Sequence, residues 1–139
     1  ALEQLKKLPK NINIRVFNFD ILKRYFSKYS ELFDLPLQQK GLKTPWLAYP
    51  LLIKDKSKIN RQKLQIFLEK RGIQTRTIFT GNILRQPVAQ KFQWDSFGTF
   101  EASDAIMGNG ILLGCHNQQT KEKLDYMITK LLEAEACLA

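Results

Sequence analysis

The stretch GIQTRTIFTGNILRQP, residues 72–87, changes backbone character several times in a short span. Gly72 can adopt the left-handed conformation that closes a helix. Ile73–Phe79 is rich in Thr and Ile and predicts a strand. Gly81 breaks that strand, and Pro87 suits the first turn of a short helix running through Gln90 to Phe92. Between these signals lie Asn82 and Arg85, set among apolar residues. From Lys70 to Trp94 there is no Asp or Glu, whereas Lys70, Arg71, Arg76, Arg85 and Lys91 are basic. A guanidinium grips a carboxylate or phosphate through two parallel bonds. Arg85 and Arg76 are therefore candidate contacts to an anion; the alternative is an arginine bonded to loop carbonyls or to a distant acid.

Upstream of this stretch, Asn60 is a good helix cap, and Leu64, Phe67 and Leu68 line one face of the helix that Gly72 closes. The run from Trp46 to Ile53 predicts a strand. Pro50 cannot donate to a ladder, so an edge position or a bulge is expected there. Residues 31–45, with two prolines and Gly41, read as a connection. Residues 11–30 carry two patterns. Ile12, Ile14 and Val16 alternate as in a strand, while Ile14, Phe17, Ile21, Leu22, Tyr25, Phe26 and Tyr29 recur at helical steps. The second stripe is longer and predicts a helix, with Leu2, Leu5 and Leu8 as an earlier turn interrupted near Pro9.

Downstream, Trp94, Phe97, Phe100, Ile106 and Met107 are spread among small residues. Gly108-Asn-Gly110 is turn chemistry, and Ile111–Leu113 makes a third short strand. Thr120 caps a last helix whose stripe is Leu124, Met127, Ile128, Leu131 and Leu132. The order predicts an α+β fold, an α/β layer with a small sheet of about three strands covered by helices. One sheet face is left for something else to cover.

The chain of 139 residues is of single-domain size and is 44% apolar, without a run long enough to span a membrane. Its +9 charge, from 22 basic and 13 acidic residues, would attract polyanions. A basic module for nucleic acid or another polyanion is the alternative reading, although the positive residues are scattered. Cys115 and Cys137 do not form a disulfide framework, which makes a reducing cytoplasmic setting the default. With His116 as the only histidine, a multi-histidine metal site is excluded. Cys115 and His116 are adjacent and so do not form a nucleophile pair, whose members meet across a fold. Cys115 is expected to be a small buried residue at a strand end, and His116 a loop residue able to contact a ligand. Glu101 and Asp104, three apart, suit the N-terminal turn of a helix. No phosphate-binding glycine loop of either common type is present.

Gly72-Ile-Gln-Thr-Arg76, Phe79-Thr-Gly-Asn82 and Arg85-Gln-Pro87 resemble the C-terminal part of the DegT/StrS family of pyridoxal-phosphate-dependent sugar aminotransferases and dehydratases. The pattern is most similar to the nucleotide-linked 4-keto-6-deoxyhexose 3-dehydratases. Ser103-Asp-Ala-Ile-Met107, Gly110-Ile-Leu-Leu-Gly-Cys-His116 and the helix from Thr120 through Tyr126 resemble the family's downstream segments, and Leu2–Leu8 its approach to this domain. The resemblance covers most of the chain and is thin over 31–58. It departs at Asn117, where many relatives carry a second histidine.

The resemblance implies that residues 1–139 are one unit, the small C-terminal domain of an aspartate-aminotransferase-like fold, with a leading helix in 1–30 and sheet and helices in 46–139. A large domain would hold the cofactor, pyridoxal phosphate. Ser96-Phe97 is followed by Gly-Thr-Phe, without the family's cofactor lysine, so no catalytic residue is expected here and the chain alone would be inactive. Arg85, Asn82, Arg76 and His116 become candidate substrate contacts for an amino donor's carboxylate or a nucleotide-linked keto-sugar. A homodimer is implied for the intact enzyme. The start at Ala1 suggests a piece of a longer chain.

Overall fold

The computed structural model describes residues 2–138, with side chains through residue 134. The start at Ala1 and the side chain of Cys137 lie outside the described residues.

Helix α1, Leu2–Phe26, settles the double pattern of residues 11–30 in favour of the helix. It buries Asn18, Phe19, Leu22 and Phe26, spaced as one helical face. Pro9 sits inside α1 and does not interrupt it. Residues 2–10 are exposed, so the first turns stand clear of the body and burial begins at Asn11.

The sheet has four strands in the order β1-β2-β4-β3, with each neighbouring pair antiparallel. These are β1, Phe33–Asp34; β2, Ala48–Ile53; β3, Thr75–Arg76; and β4, Gly110–Gly114. The extra strand, β1, lies inside the expected connection. Two residues are too few to show alternation, and β1 is legible only through its pairing with Leu52 and Ile53. That pairing also accommodates Pro50. Because β1 stops at Leu52, β2 is locally an edge at Pro50 on that side, although it is central in the strand order.

Helix α2, Arg61–Glu69, begins where the Asn60 side chain accepts from the Lys63 backbone N–H at 3.0 Å. It closes through Gly72, at φ +75°. Helix α3, Glu101–Asn109, runs straight into β4, and α4, Lys121–Leu138, follows the turn after it. The core joins α1, α2 and α4 to one sheet face: Phe19, Leu22, Phe26, Leu64, Leu68, Leu124 and Met127 meet Tyr49, Leu51, Ile111 and Leu113. Phe19 stacks on Trp46 at 4.1 Å, and Phe26 on Tyr49 at 5.5 Å. Cys115 is fully buried just past β4, as its position suggested.

Side chains alternate across a strand, so Pro50, Leu112 and Arg76 share the opposite face in cross-strand register. There Pro50 and Leu112 are only half-buried and Arg76 is exposed.

Candidate functional site

After Arg76 the chain leaves the sheet in a tight bend. Thr77 Oγ1 donates to the Phe79 carbonyl at 3.2 Å, and the Gly81 N–H donates to the Ile78 carbonyl at 3.2 Å. Phe79 is the one non-glycine residue at positive φ (+48°) among the described residues. For a bulky side chain this left-handed backbone costs roughly 1–2 kcal/mol. The expected strand over Ile73–Phe79 is reduced to Thr75–Arg76, the two residues that pair with β4, and Phe79 lies in the bend. Gly81, at φ +67°, lies so close to α3 that a Cβ there would be 2.3 Å from Met107 Cβ.

Asn82 follows and is buried. Its Oδ1 accepts from the Leu84 N–H at 3.0 Å, capping a 3-10 turn, Ile83–Arg85, and its Nδ2 donates to Asp104 Oδ1 at 2.7 Å. Arg85 donates to the same carboxylate from Nε at 3.1 Å and from Nη2 at 2.8 Å. Of the two readings of Arg85, this is the arginine bonded to a distant acid. The acid is Asp104, on α3. Asp104 and Met107 lie three apart, on one helix face, so α3 grips the bend through a carboxylate and an apolar contact. The Arg85 hydrogen bonds, and then that of Asn82, hold the Asp104 carboxyl below the usual aspartate range. In the sequence Asp104 reads only as a helix N-terminal charge. The sole signal of its true partner was the charge imbalance of the 70–94 window.

Arg76 stands apart. It is exposed on the edge strand β3, with no hydrogen bond or ion pair among the described residues. The structure does not bring His116 to the bend. β4 runs from α3 to His116, so the two sites sit at opposite ends of the strand. His116 is exposed, as expected, and its Nδ1 accepts from the Gln118 N–H at 3.2 Å. Its loop is tied to α1 by the buried Asn18, which donates to the His116 carbonyl at 2.9 Å, and by Asn117, which donates to Asn11 at 3.0 Å. His116 lines an open hollow of about 500 Å³ together with Gly72, Gln74, Glu122 and Lys123.

The His116 hollow does not fit the phosphate of pyridoxal phosphate. The His116 hollow brings a carboxylate, Glu122, beside its one lysine and no arginine. A phosphate seat requires converging donors. Asp104, the acid at the bend, is saturated by Asn82 and Arg85. Among the described residues no group of three or more His, Cys, Asp or Glu could hold a metal ion, and no helix is long and apolar enough to cross a membrane.

Rings are unusually exposed beyond the bend. Phe79 is 89% exposed and Phe97 97%, and Phe92 and Trp94 are also exposed. Of these, Phe92 and Trp94 meet edge to face at 5.9 Å, and exposed apolar groups that lie together mark a surface that something else covers.

Residues 1–132 match the DegT/DnrJ/EryC1/StrS aminotransferase family. The chain belongs to that family. It is 31% identical over 133 residues to the lipopolysaccharide biosynthesis protein RfbH of Salmonella typhimurium, covering 96% of this chain and 30% of that protein. It is 29% identical over 128 residues to the GDP-4-keto-6-deoxy-D-mannose 3-dehydratase of Escherichia coli O55:H7, covering 91% of this chain and 32% of that enzyme. The solved structure of the E. coli 3-dehydratase with bound hydrated PLP superposes with a TM-score of 0.76 at 28% identity, over 94% of this chain and 33% of that one. The aminotransferase PseC of Helicobacter pylori shares the fold, with a TM-score of 0.78 at 25% identity over 95% of this chain and 34% of that one. The chain therefore spans about a third of the length of the relatives it matches. Its four-stranded α+β architecture is that of the matched part of these PLP enzymes.

Proposed function

We propose that this chain is the C-terminal lobe of a pyridoxal-phosphate-dependent nucleotide-sugar aminotransferase or 3-dehydratase of deoxysugar biosynthesis, closing over a cofactor held by a large lobe. The observation that carries the reading is the family match over residues 1–132 at one third of the relatives' length. The exposed rings of Phe92, Trp94 and Phe97 and the exposed first turns of α1 supply surfaces for the large lobe to cover. When bound, the cofactor supplies the electron sink for chemistry next to the sugar carbonyl, while protein groups bind and orient the reactants.

In this chain the group suited to an anionic reactant is Arg76. Its guanidinium is uncommitted and sits on the half-covered sheet face beside Pro50 and Leu112. Arg85 and Asn82 act by shaping the bend, and His116 lies at a second, separate surface. A cytoplasmic enzyme that works as a homodimer and, in the dehydratase branch, as a lyase fits the same reading. The alternative, a basic polyanion-binding module, is not supported by the relatives above.

The test is the intact parent enzyme, supplied with pyridoxal phosphate, glutamate and a GDP-linked 4-keto-6-deoxyhexose. Formation of an amino sugar or loss of the 3-hydroxyl supports the reading and separates its two branches. An intact, cofactor-loaded enzyme that leaves nucleotide-linked keto-sugars unchanged would overturn it.

A further inference from the structure

Phe79 is costly as built. Its backbone is left-handed at φ +48°, where a phenylalanine is rarely found, yet its ring is 89% exposed and so contributes little to the core. Strain of this kind persists only where the surroundings over-determine it, and it gathers at functional positions. The surroundings here do so. Thr77 holds the Phe79 carbonyl, Gln86 Nε2 donates to the Thr80 carbonyl at 3.0 Å, Gly81 is wedged against Met107, and Asn82 and Arg85 are tied to Asp104. The net result of these contacts is a held backbone that carries one exposed aromatic ring.

Two features flank the ring. Arg76, three residues earlier, is the uncommitted cation described above; three residues of chain span at most about 11 Å. The second is a hollow of about 170 Å³ whose lining includes Arg61, Thr77, Thr80 and Gln86 beside Phe79. An exposed ring offers a stacking surface to any base, the Thr80 hydroxyl and the Gln86 side-chain carbonyl in the hollow offer partners for a base edge, and a guanidinium suits a phosphate. A nucleoside diphosphate is the ligand class that would use all three features.

Resting on the function proposed above, we infer that Phe79 and Arg76 form the nucleotide end of the substrate site, with the ring stacking on the base and the guanidinium holding the diphosphate. Phe79 is then a specificity-determining contact. The amino donor, which carries no base, does not use it.

The experiment uses the intact parent enzyme. Binding of GDP, dTDP, UDP and CDP is measured by calorimetry, and KM is measured separately for the nucleotide sugar and the amino donor. The decisive variant is Phe79→Gly, because glycine accepts φ +48° without strain and so removes the ring without stressing the fold. Phe79→Tyr and Phe79→Leu separate stacking from mere bulk, and Arg76→Ala tests the phosphate contact.

The expected result is about a tenfold or greater loss of nucleoside-diphosphate affinity in Phe79→Gly, with melting unchanged or raised. Phe79→Tyr should bind like the wild type, Phe79→Leu should not, and KM for the amino donor should be unmoved. Arg76→Ala should show the same loss together with a weaker salt dependence. Wild-type affinity in Phe79→Gly, equal behaviour of the Leu and Tyr variants, or no binding of any of the four nucleotides by the wild type would each overturn the inference. If the wild type turns over a nucleotide-linked keto-sugar and Phe79→Gly keeps its KM, this inference falls while the proposed function stands. If the wild type turns over no such sugar, the proposed function itself has failed.

Discussion

Arg85 holds Asp104 with two parallel hydrogen bonds, 3.1 Å from Nε and 2.8 Å from Nη2, joining the bend after β3 to the first half of α3. Asn82 adds a third bond to the same carboxylate at 2.7 Å. The guanidinium that looked most available in the sequence is the one already occupied, and the availability passes to Arg76.

This clamp makes the bend sensitive to acid. Its bonds lower the Asp104 carboxyl in the folded state relative to the unfolded chain, where an aspartate titrates near about 3.9. The stabilisation is therefore complete above that value and is lost as pH falls through the depressed folded value. Trp94, whose indole N–H donates to the Ala89 carbonyl at 2.9 Å, reports on the neighbouring segment. In a Trp46→Phe background its fluorescence should change below about pH 4. That change should be absent in Asp104→Asn, whose bend is already loosened at neutral pH. An identical acid transition in both proteins would show that the clamp does not hold the segment.

Gly81 should be the least replaceable glycine of the bend. A Cβ there meets Met107 Cβ at 2.3 Å and Met107 Cα at 2.6 Å, and φ is +67°. Gly81→Ala should lower stability by about 2 kcal/mol or more in urea denaturation, combining backbone strain with overpacking. Adding Met107→Ala should not restore it, because the atoms in conflict survive that change.

Much of the fold could be read from residue pattern. The Asn60 cap and the Gly72 closure lie where their local signals put them, and the stripes of Ile14 to Tyr29 and of α4 mark helices, although Phe17 and Leu132 are exposed and the buried Phe19 stands outside the first stripe. Strand β1 could not be read, because two residues carry no period and exist as a strand only through β2. The short extent of β3 was hidden because Ile73–Phe79 has strand composition, while its end is set by contacts of the bend with α3. The Asp104 clamp was invisible for the same reason. It depends on a tertiary approach between residues 19 apart, and no spacing rule predicts that.

Tyr49 offers a test of the core. It is fully buried, stacks on Phe26 and has a hydroxyl with no hydrogen-bond partner. Burying an unpaired hydroxyl is unfavourable. Tyr49→Phe should therefore leave stability unchanged or raise it by up to about 1 kcal/mol. A clear loss in chemical denaturation would mean that the hydroxyl is satisfied in solution.

Burial pushes the Cys115 thiol up to about 11, so it stays protonated and inert at neutral and mildly alkaline pH. Peptide-resolved alkylation at pH 8 should label Cys115 only under unfolding conditions. Rapid labelling of the native chain would contradict its placement beneath Trp46, whose carbonyl lies 3.6 Å from the sulfur.

The most direct test of the account compares Arg76→Ala with Arg85→Lys in the intact, cofactor-loaded enzyme, reading kcat/KM for the nucleotide sugar alongside thermal melting. The account expects Arg76→Ala to lose at least about tenfold in kcat/KM with its melting unchanged, and Arg85→Lys to melt lower because a lysine cannot bond Asp104 with two parallel donors. Wild-type turnover in Arg76→Ala would contradict it.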